Sequence, residues 1–378
     1  MADLDAALRP YVDSGAVPGL VALVSRGEEV ELAVLGRQGP DGAPMRRDSL
    51  FRGASITKPL TAALAMLLVE DGLLDLDAPV GLLLPEIAEP RVLRTPTSAL
   101  DDTVACSRPI TARHLLTSTS GHGFATVESP VVPLLVERLG QASTDVGAVP
   151  APDEWMRRLA DVPLIHQPGE GWTYNASYDV LGVLLARSGG QDLGDLMGER
   201  LLGPLGMVDS GFHVLAAKRD RFTTLVGHRD GELVVTDEPD GAFAAPPAFA
   251  SGAGGIVTTA DDMLAFGRML LAEGDGLLQP TSVRRMMTDH TTAQQREMGG
   301  FFLDGQGWGF GGGVDTTVLQ PWNVVGRYGW VGGTGTAAYV DPQHATVSVI
   351  LTQVELGGPE SAGVLEAFWT AVAEHPQP

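Results

Sequence analysis

Apolar runs of strand character lie at the two ends of this chain, and helical periodicity fills the middle. That distribution constrains the fold more than any other feature. Near the start, Leu4, Ala7, Leu8, Tyr11 and Val12 recur at helical spacing over residues 3–13. Leu20 to Val24 and Val30 to Leu35 then read as two strands joined by the turn Arg26-Gly27-Glu28. After about residue 300 the β pattern returns at 324–330, 336–340 and 345–352, followed by a closing helix from about Glu360 to Ala373. Strands at both termini require one sheet built from both ends, with a helical region inserted between them. Inside that region, Leu60 to Gly72, Asp153 to Leu159, Val180 to Arg187 and Leu193 to Leu202 read as helices. Prolines punctuate 75–96 into loops and short helices, and 125–152 reads as a loose surface excursion. Thr259 caps a further helix, Met263 to Leu271.

The run Phe51-Arg52-Gly53-Ala54-Ser55-Ile56-Thr57-Lys58-Pro59-Leu60 puts a Ser-x-x-Lys pair at the head of the first long helix. Residues three apart on a helix share a face, so the Lys58 amine comes alongside the Ser55 hydroxyl. The free N–H groups of a first turn can receive an oxyanion. To act as a base Lys58 must lose its proton, and burial with little carboxylate nearby lowers its pKa in that direction. Pro59 is tolerated in a first turn but not mid-helix, which places Ser55 at the helix start. Only Lys58 and Lys218 are lysines in a chain that otherwise uses arginine.

Composition excludes several function classes. Lys+Arg 25 against Asp+Glu 47 gives a net charge of −22, which repels nucleic acid and anionic membrane surfaces alike. The single cysteine, Cys106, forms no intramolecular disulfide, and no Cys/His cluster has zinc spacing. The Gly-rich run Ser251 to Gly255 lacks the Gly-Lys-Ser/Thr ending of a phosphate loop. No metal and no cofactor are therefore expected. His114 and His122 have no partner spacing and read as structural. The N-terminus carries acids where a signal peptide needs bases, and no apolar run reaches membrane length. A cytoplasmic protein without membrane partner is the expectation.

Pro168-Gly169-Glu170-Gly171-Trp172-Thr173-Tyr174 is a turn that sets Tyr174 just before a helix, where a phenol can relay protons and could act as a general base only if Lys58, the available cation, lowers its pKa. Together, Ser55-Ile56-Thr57-Lys58, the Pro-Gly-x-x-Trp-x-Tyr run and Gly329-Trp330-Val331-Gly332-Gly333-Thr334-Gly335 resemble the three motifs of the serine β-lactamase and penicillin-binding protein superfamily, in the same order. The pattern Tyr174-x-x-x-x-Asp179-Val180-Leu181-Gly182, with Trp330, most resembles the family VIII carboxylesterases, which share the class C β-lactamase fold. The likeness runs over nearly the whole chain.

What the resemblance implies is a β-lactamase-like fold, α/β plus all-α, in which an antiparallel sheet flanked by helices carries an inserted helical domain. On this chain the α/β part would be 1–57 and 251–378, the helical part 58–250, with the active-site cleft between them. It further implies Ser55, Lys58 and Tyr174 as catalytic residues and an oxyanion hole from the Ser55 and Gly333 N–H groups. Trp330, Gly332 and Asn175 are the expected substrate contacts. Two departures from class C enzymes stand out: Asn175 is displaced by one position, and Trp330-Val331-Gly332 replaces Lys-Thr-Gly. An indole cannot replace the ion pair that a lysine offers a substrate carboxylate; Arg327 is the alternative cation. The expected activity is hydrolysis of a small carboxylic ester. The rivals are β-lactamase or D-alanyl-D-alanine peptidase activity, acyl transfer to an alcohol or amine, and a non-catalytic ligand-binding protein.

Overall fold

In the computed structural model, residues 3–141, 143, 146–357 and 359–374 are described. Strand β1 (Gly19–Arg26) sends Leu20, Ala22 and Val24 to one face and Val21 and Leu23 to the other, and all five are buried. Such a strand must be covered on both sides. It pairs with β2 (Glu29–Gly36) along one edge and β7 (Thr346–Thr352) along the other, so the first and last strands are neighbours. Between them in sequence come β3 (Gln306–Trp308), β4 (Gly313–Asp315), β5 (Tyr328–Gly332) and β6 (Thr336–Asp341). The seven strands run in the order β2-β1-β7-β6-β5-β4-β3, every pair antiparallel. This is the antiparallel sheet drawn from both termini that the apolar patterning requires.

The helices that matter here are α1 (Leu4–Asp13), α2 (Thr57–Glu70), α3 (Ala176–Gly189), α4 (Ala260–Leu271) and α5 (Pro359–Glu374). Leu4 and Leu8 of α1 join Val364, Leu365 and Phe368 of α5 over one sheet face. On the other side α4 packs against β1, β6 and β7, and beyond it α2 packs against α3. Helix α2 differs from its sequence pattern. Every residue from Thr57 to Leu68 is buried, because the helix runs through the core rather than along its surface.

Several local expectations need correction. The stretch 125–152 contains a helix, Val131–Leu139, whose Val131, Leu135 and Leu139 are buried, so much of this excursion belongs to the core. Residues 142, 144 and 145 of it lie outside the described residues. Residues 324–327 are not strand; they wrap the buried carboxylate of Asp315, which accepts from Val324 N and Arg327 Nε at 3.1 and 2.9 Å. Leu193 to Leu202 splits into an α-helix, Leu193–Met197, and a π-turn, Gly198–Leu202. Within 75–96, Arg91–Leu93 pairs with Thr103–Ala105 as a small ribbon.

Candidate active site

The Ser55 turn is built from the backbone up. Ala54–Ile56 forms one 3₁₀ turn ahead of α2, with Ala54 held at φ 46°, a conformation unfavourable for a residue with a Cβ. Thr57 Oγ1 donates to Ala54 O at 2.6 Å and accepts from Ile256 N at 3.1 Å, which ties the turn to the chain entering α4. From the sheet, Thr334 Oγ1 and Thr336 Oγ1 donate to Arg52 O and Gly53 O at 2.5 and 2.8 Å. Gly332 permits this approach: a Cβ there would lie 2.4 Å from Gly53 O. Its role is to let β5 close on the Ser55 turn.

Lys58 is wholly buried. Its Nζ lies 2.9 Å from Ser55 Oγ and donates to Asn175 Oδ1 at 2.8 Å and to Ala253 O at 2.7 Å. Burial pulls its pKa down to about 7, and the nearby Asp179 carboxylate pulls weakly the other way. Asp179, also buried, accepts from Gln141 Nε2 and Ser251 Oγ at 2.6 Å each and from Ala253 N at 3.2 Å. Burial raises its pKa, and those donors oppose the rise.

Tyr174 sits on the far side of this group. Antiparallel bonds with Phe124, at 2.7 and 2.8 Å, fix its backbone. Gly123 lies against that bridge at φ 138°, where a Cβ would come within 2.2 Å of Tyr174 O. The Tyr174 hydroxyl neighbours Ser55 and accepts from Trp330 Nε1 at 2.7 Å, while Phe302 stacks on its ring at 4.4 Å. Burial pushes the phenol up to about 12, outweighing both hydrogen bonds. Lys58 therefore does not make Tyr174 a phenolate at neutral pH, and the condition on which Tyr174 could serve as a general base is not met.

Two expected substrate contacts are engaged inside the protein. Asn175 stands at φ 82°, ψ −72°, the centre of a tight γ-turn closed by Ala176 N on Tyr174 O at 3.3 Å. Its amide oxygen accepts from Lys58, and its amide nitrogen donates to Gln141 Oε1 at 2.8 Å. Trp330 is 6% exposed, and its indole N–H goes to Tyr174. Both orient the catalytic candidates. Arg327 is bound to the buried Asp315 and is not among the residues lining the cleft.

The cleft over Ser55 encloses about 600 Å³. Gly333 lines it beside Ser55 and Ala54, and Phe124, Leu139, Phe249 and Phe302 give it an apolar wall. Arg52 and Arg229, also in the lining, are paired with Asp237 and Glu355. Sequence reasoning missed Gln141, Ala253 and Phe302 as site residues. It quoted Asp179 only as part of a pattern, although that side chain supplies the carboxylate near Lys58. His114 serves in the capping box of Ala112–Leu116, and His122 is buried. Among the described residues no group of three or more His, Cys, Asp or Glu side chains is placed to hold a metal, and no helix is long and apolar enough to cross a membrane.

A family model described as Beta-lactamase matches residues 4–367. The chain belongs to the beta-lactamase family. Within that family it is 36% identical to Protein Rv1367c of Mycobacterium tuberculosis, over 92% of this chain and 88% of that protein. It is 34% identical to Esterase EstB of Burkholderia gladioli, over 97% and 95%. Among solved structures it is similar to EstCE1, described as a hydrolase with promiscuous acyltransferase activity. That match has a TM-score of 0.81, 26% identity and 97% coverage of both chains. The fold of this beta-lactamase-family chain is accordingly beta-lactamase-like, and its relatives include esterases.

Proposed function

We propose that this chain is a serine esterase that passes the acyl group of a carboxylic ester through Ser55. The observation that carries this reading is the fully buried Lys58 amine, 2.9 Å from Ser55 Oγ, with a pKa drawn down to about 7. An amine with that pKa is about half deprotonated at neutral pH. Two of its N–H bonds are directed at Asn175 Oδ1 and Ala253 O, which leaves the lone pair for the Ser55 proton. Ser55 Oγ then attacks the ester carbonyl, and the Ser55 and Gly333 N–H groups receive the oxyanion. Tyr174, protonated at this pH, is the acid that gives a proton to the departing alkoxide, and the Lys58 ammonium, which holds the proton taken from Ser55, restores it before the second half-reaction. Water repeats the attack in the second half, with the Lys58 amine as its base and Tyr174 as the acid that returns a proton to Ser55 Oγ. The relatives named as esterases support the same reaction class.

Acyl transfer to an alcohol is the second reading. A cleft of about 600 Å³ leaves room for an acceptor beside a bound acyl group, and EstCE1 carries that activity in its description.

A fluorophosphonate probe followed by peptide mass mapping should give one adduct, on Ser55, and Ser55→Ala should abolish both labelling and turnover. Lys58→Ala and Tyr174→Phe should each cost heavily, with a double variant far short of the sum in free-energy terms. An adduct on any other residue, or additive losses, defeats the assignment.

A further inference from the structure

Behind the catalytic cleft lies a second cavity of about 550 Å³, between α3, the turn after Leu193–Met197 and the segment 246–250. No catalytic candidate lines it. Phe249 is the residue shared by the two linings. Next along the chain, Ala250 faces the second cavity and Ser251 the cleft. The boundary between the cavities therefore runs through Phe249.

This side chain is a fixed wall. It is 3% exposed and packs on the ring of Trp155 at 5.1 Å between centroids. Trp155 is itself fully buried and donates its indole N–H to Leu139 O at 3.0 Å, so the wall is tied to another lining residue of the cleft. Beyond the partition Val183, Leu193 and Phe212 offer apolar surface, and of the charged lining residues Lys218 is paired with Asp209, leaving the exposed Asp192 and Asp195 to disfavour an anionic chain end.

We infer that Phe249 is the stop that sets how long a neutral apolar chain the cleft accepts, with the second cavity, which opens to solvent past Val208 and Leu215, as unused space behind it. The inference rests on the esterase reading and names its substrate limit: neutral esters whose apolar chain ends at the Phe249 ring. Taking the ring away joins the two spaces, and each further methylene that enters gains about fourfold in binding, the equivalent of about 0.8 kcal/mol per buried CH₂.

The test uses p-nitrophenyl esters from acetate to laurate on the wild-type chain and on Phe249→Ala, with Phe249→Leu as the milder variant should the larger cavity impair folding. The wild type should lose kcat/KM beyond a medium chain length. In the variants the optimum should move to longer chains, with the laurate-to-butyrate ratio raised about tenfold or more. Adding Ala186→Phe, which fills the second cavity from another lining position, should reverse that gain. A folded, acetate-hydrolysing Phe249→Ala or Phe249→Leu with the wild-type length profile overturns the inference. So does a longer-chain gain that Ala186→Phe leaves in place. If no ester is hydrolysed by any of the proteins and Ser55 takes no fluorophosphonate, the esterase reading itself fails, and the chain-length limit with it.

Discussion

The Trp330 indole N–H donates to the Tyr174 hydroxyl across 2.7 Å, with the two rings 5.9 Å apart between centroids. Because the phenol oxygen accepts from that side, its own proton is free to point toward Ser55. Trp330→Phe keeps most of the apolar contact and removes the donor. We expect kcat to fall about tenfold, the equivalent of about 1.4 kcal/mol, with little change in KM or melting temperature. A loss confined to KM would place Trp330 on the substrate instead.

The second prediction concerns pH. With Lys58 near 7, kcat/KM should rise through an inflection close to that value as the amine loses its proton. Asp179 raises the Lys58 pKa through its charge, so Asp179→Asn should move the inflection to lower pH while kcat also falls from the disturbed hydrogen bonds. A shift toward alkaline pH in the variant would contradict this linkage.

Substrate charge gives the third. Arg52 and Arg229 line the cleft, but each is matched by a carboxylate, and the position of the third-motif lysine is Trp330. A carboxylate entering the cleft sheds water without an unmatched cation to meet it, at a cost of about 1–3 kcal/mol. Neutral short-chain esters should therefore exceed a chromogenic cephalosporin in kcat/KM by at least about a hundredfold. Comparable efficiency on both would refute the esterase assignment in favour of a β-lactamase.

Buried imidazoles supply the fourth. Burial takes His122 down to about 3 and His166 down to about 4, and neither Nε2 has a hydrogen-bond partner among the described residues. Both folded values lie below the ordinary 6.5, so between them the unfolded chain binds more protons. The full contribution to stability is present above pH 6.5 and is lost as pH falls toward 4, by about 1.4 kcal/mol per pH unit for each imidazole. Denaturant titrations at several pH values in that window should show this slope. His166→Gln should remove about half of that slope and leave the His122 share, and an unchanged slope would assign the loss to other groups.

The sheet and the Ser55, Lys58 pairing were legible in the sequence because both rest on short periodicities. Alternation marks the strands, and a three-residue spacing puts two side chains on one helix face. The rest of the site was hidden for a physical reason. Gln141, Asp179 and Ala253 come from three separate stretches and meet only when α3 packs on α2, so no local spacing announces them. Trp330 and Asn175 were expected to contact substrate; that the Trp330 indole N–H is engaged with Tyr174 and the Asn175 amide with Lys58 and Gln141 was hidden, since a residue's type does not tell which partners its polar atoms meet. At Tyr174 the cation beside the ring was foreseen, and the depth of its burial, which raises the phenol pKa, was not.

Thr334 and Thr336 bind the carbonyls of Arg52 and Gly53, joining segments more than 280 residues apart in sequence. The Ser55 turn and the strand that faces it thereby form one braced unit with the sheet, whereas Leu139, Phe249 and Phe302 line the cleft from outside that sheet. On the proposed reading, chemistry and recognition are carried by different parts of the molecule, and substitutions in the outer stretches should retune which ester is admitted while the reaction centre stays in register. A lineage built this way can change diet without relearning catalysis.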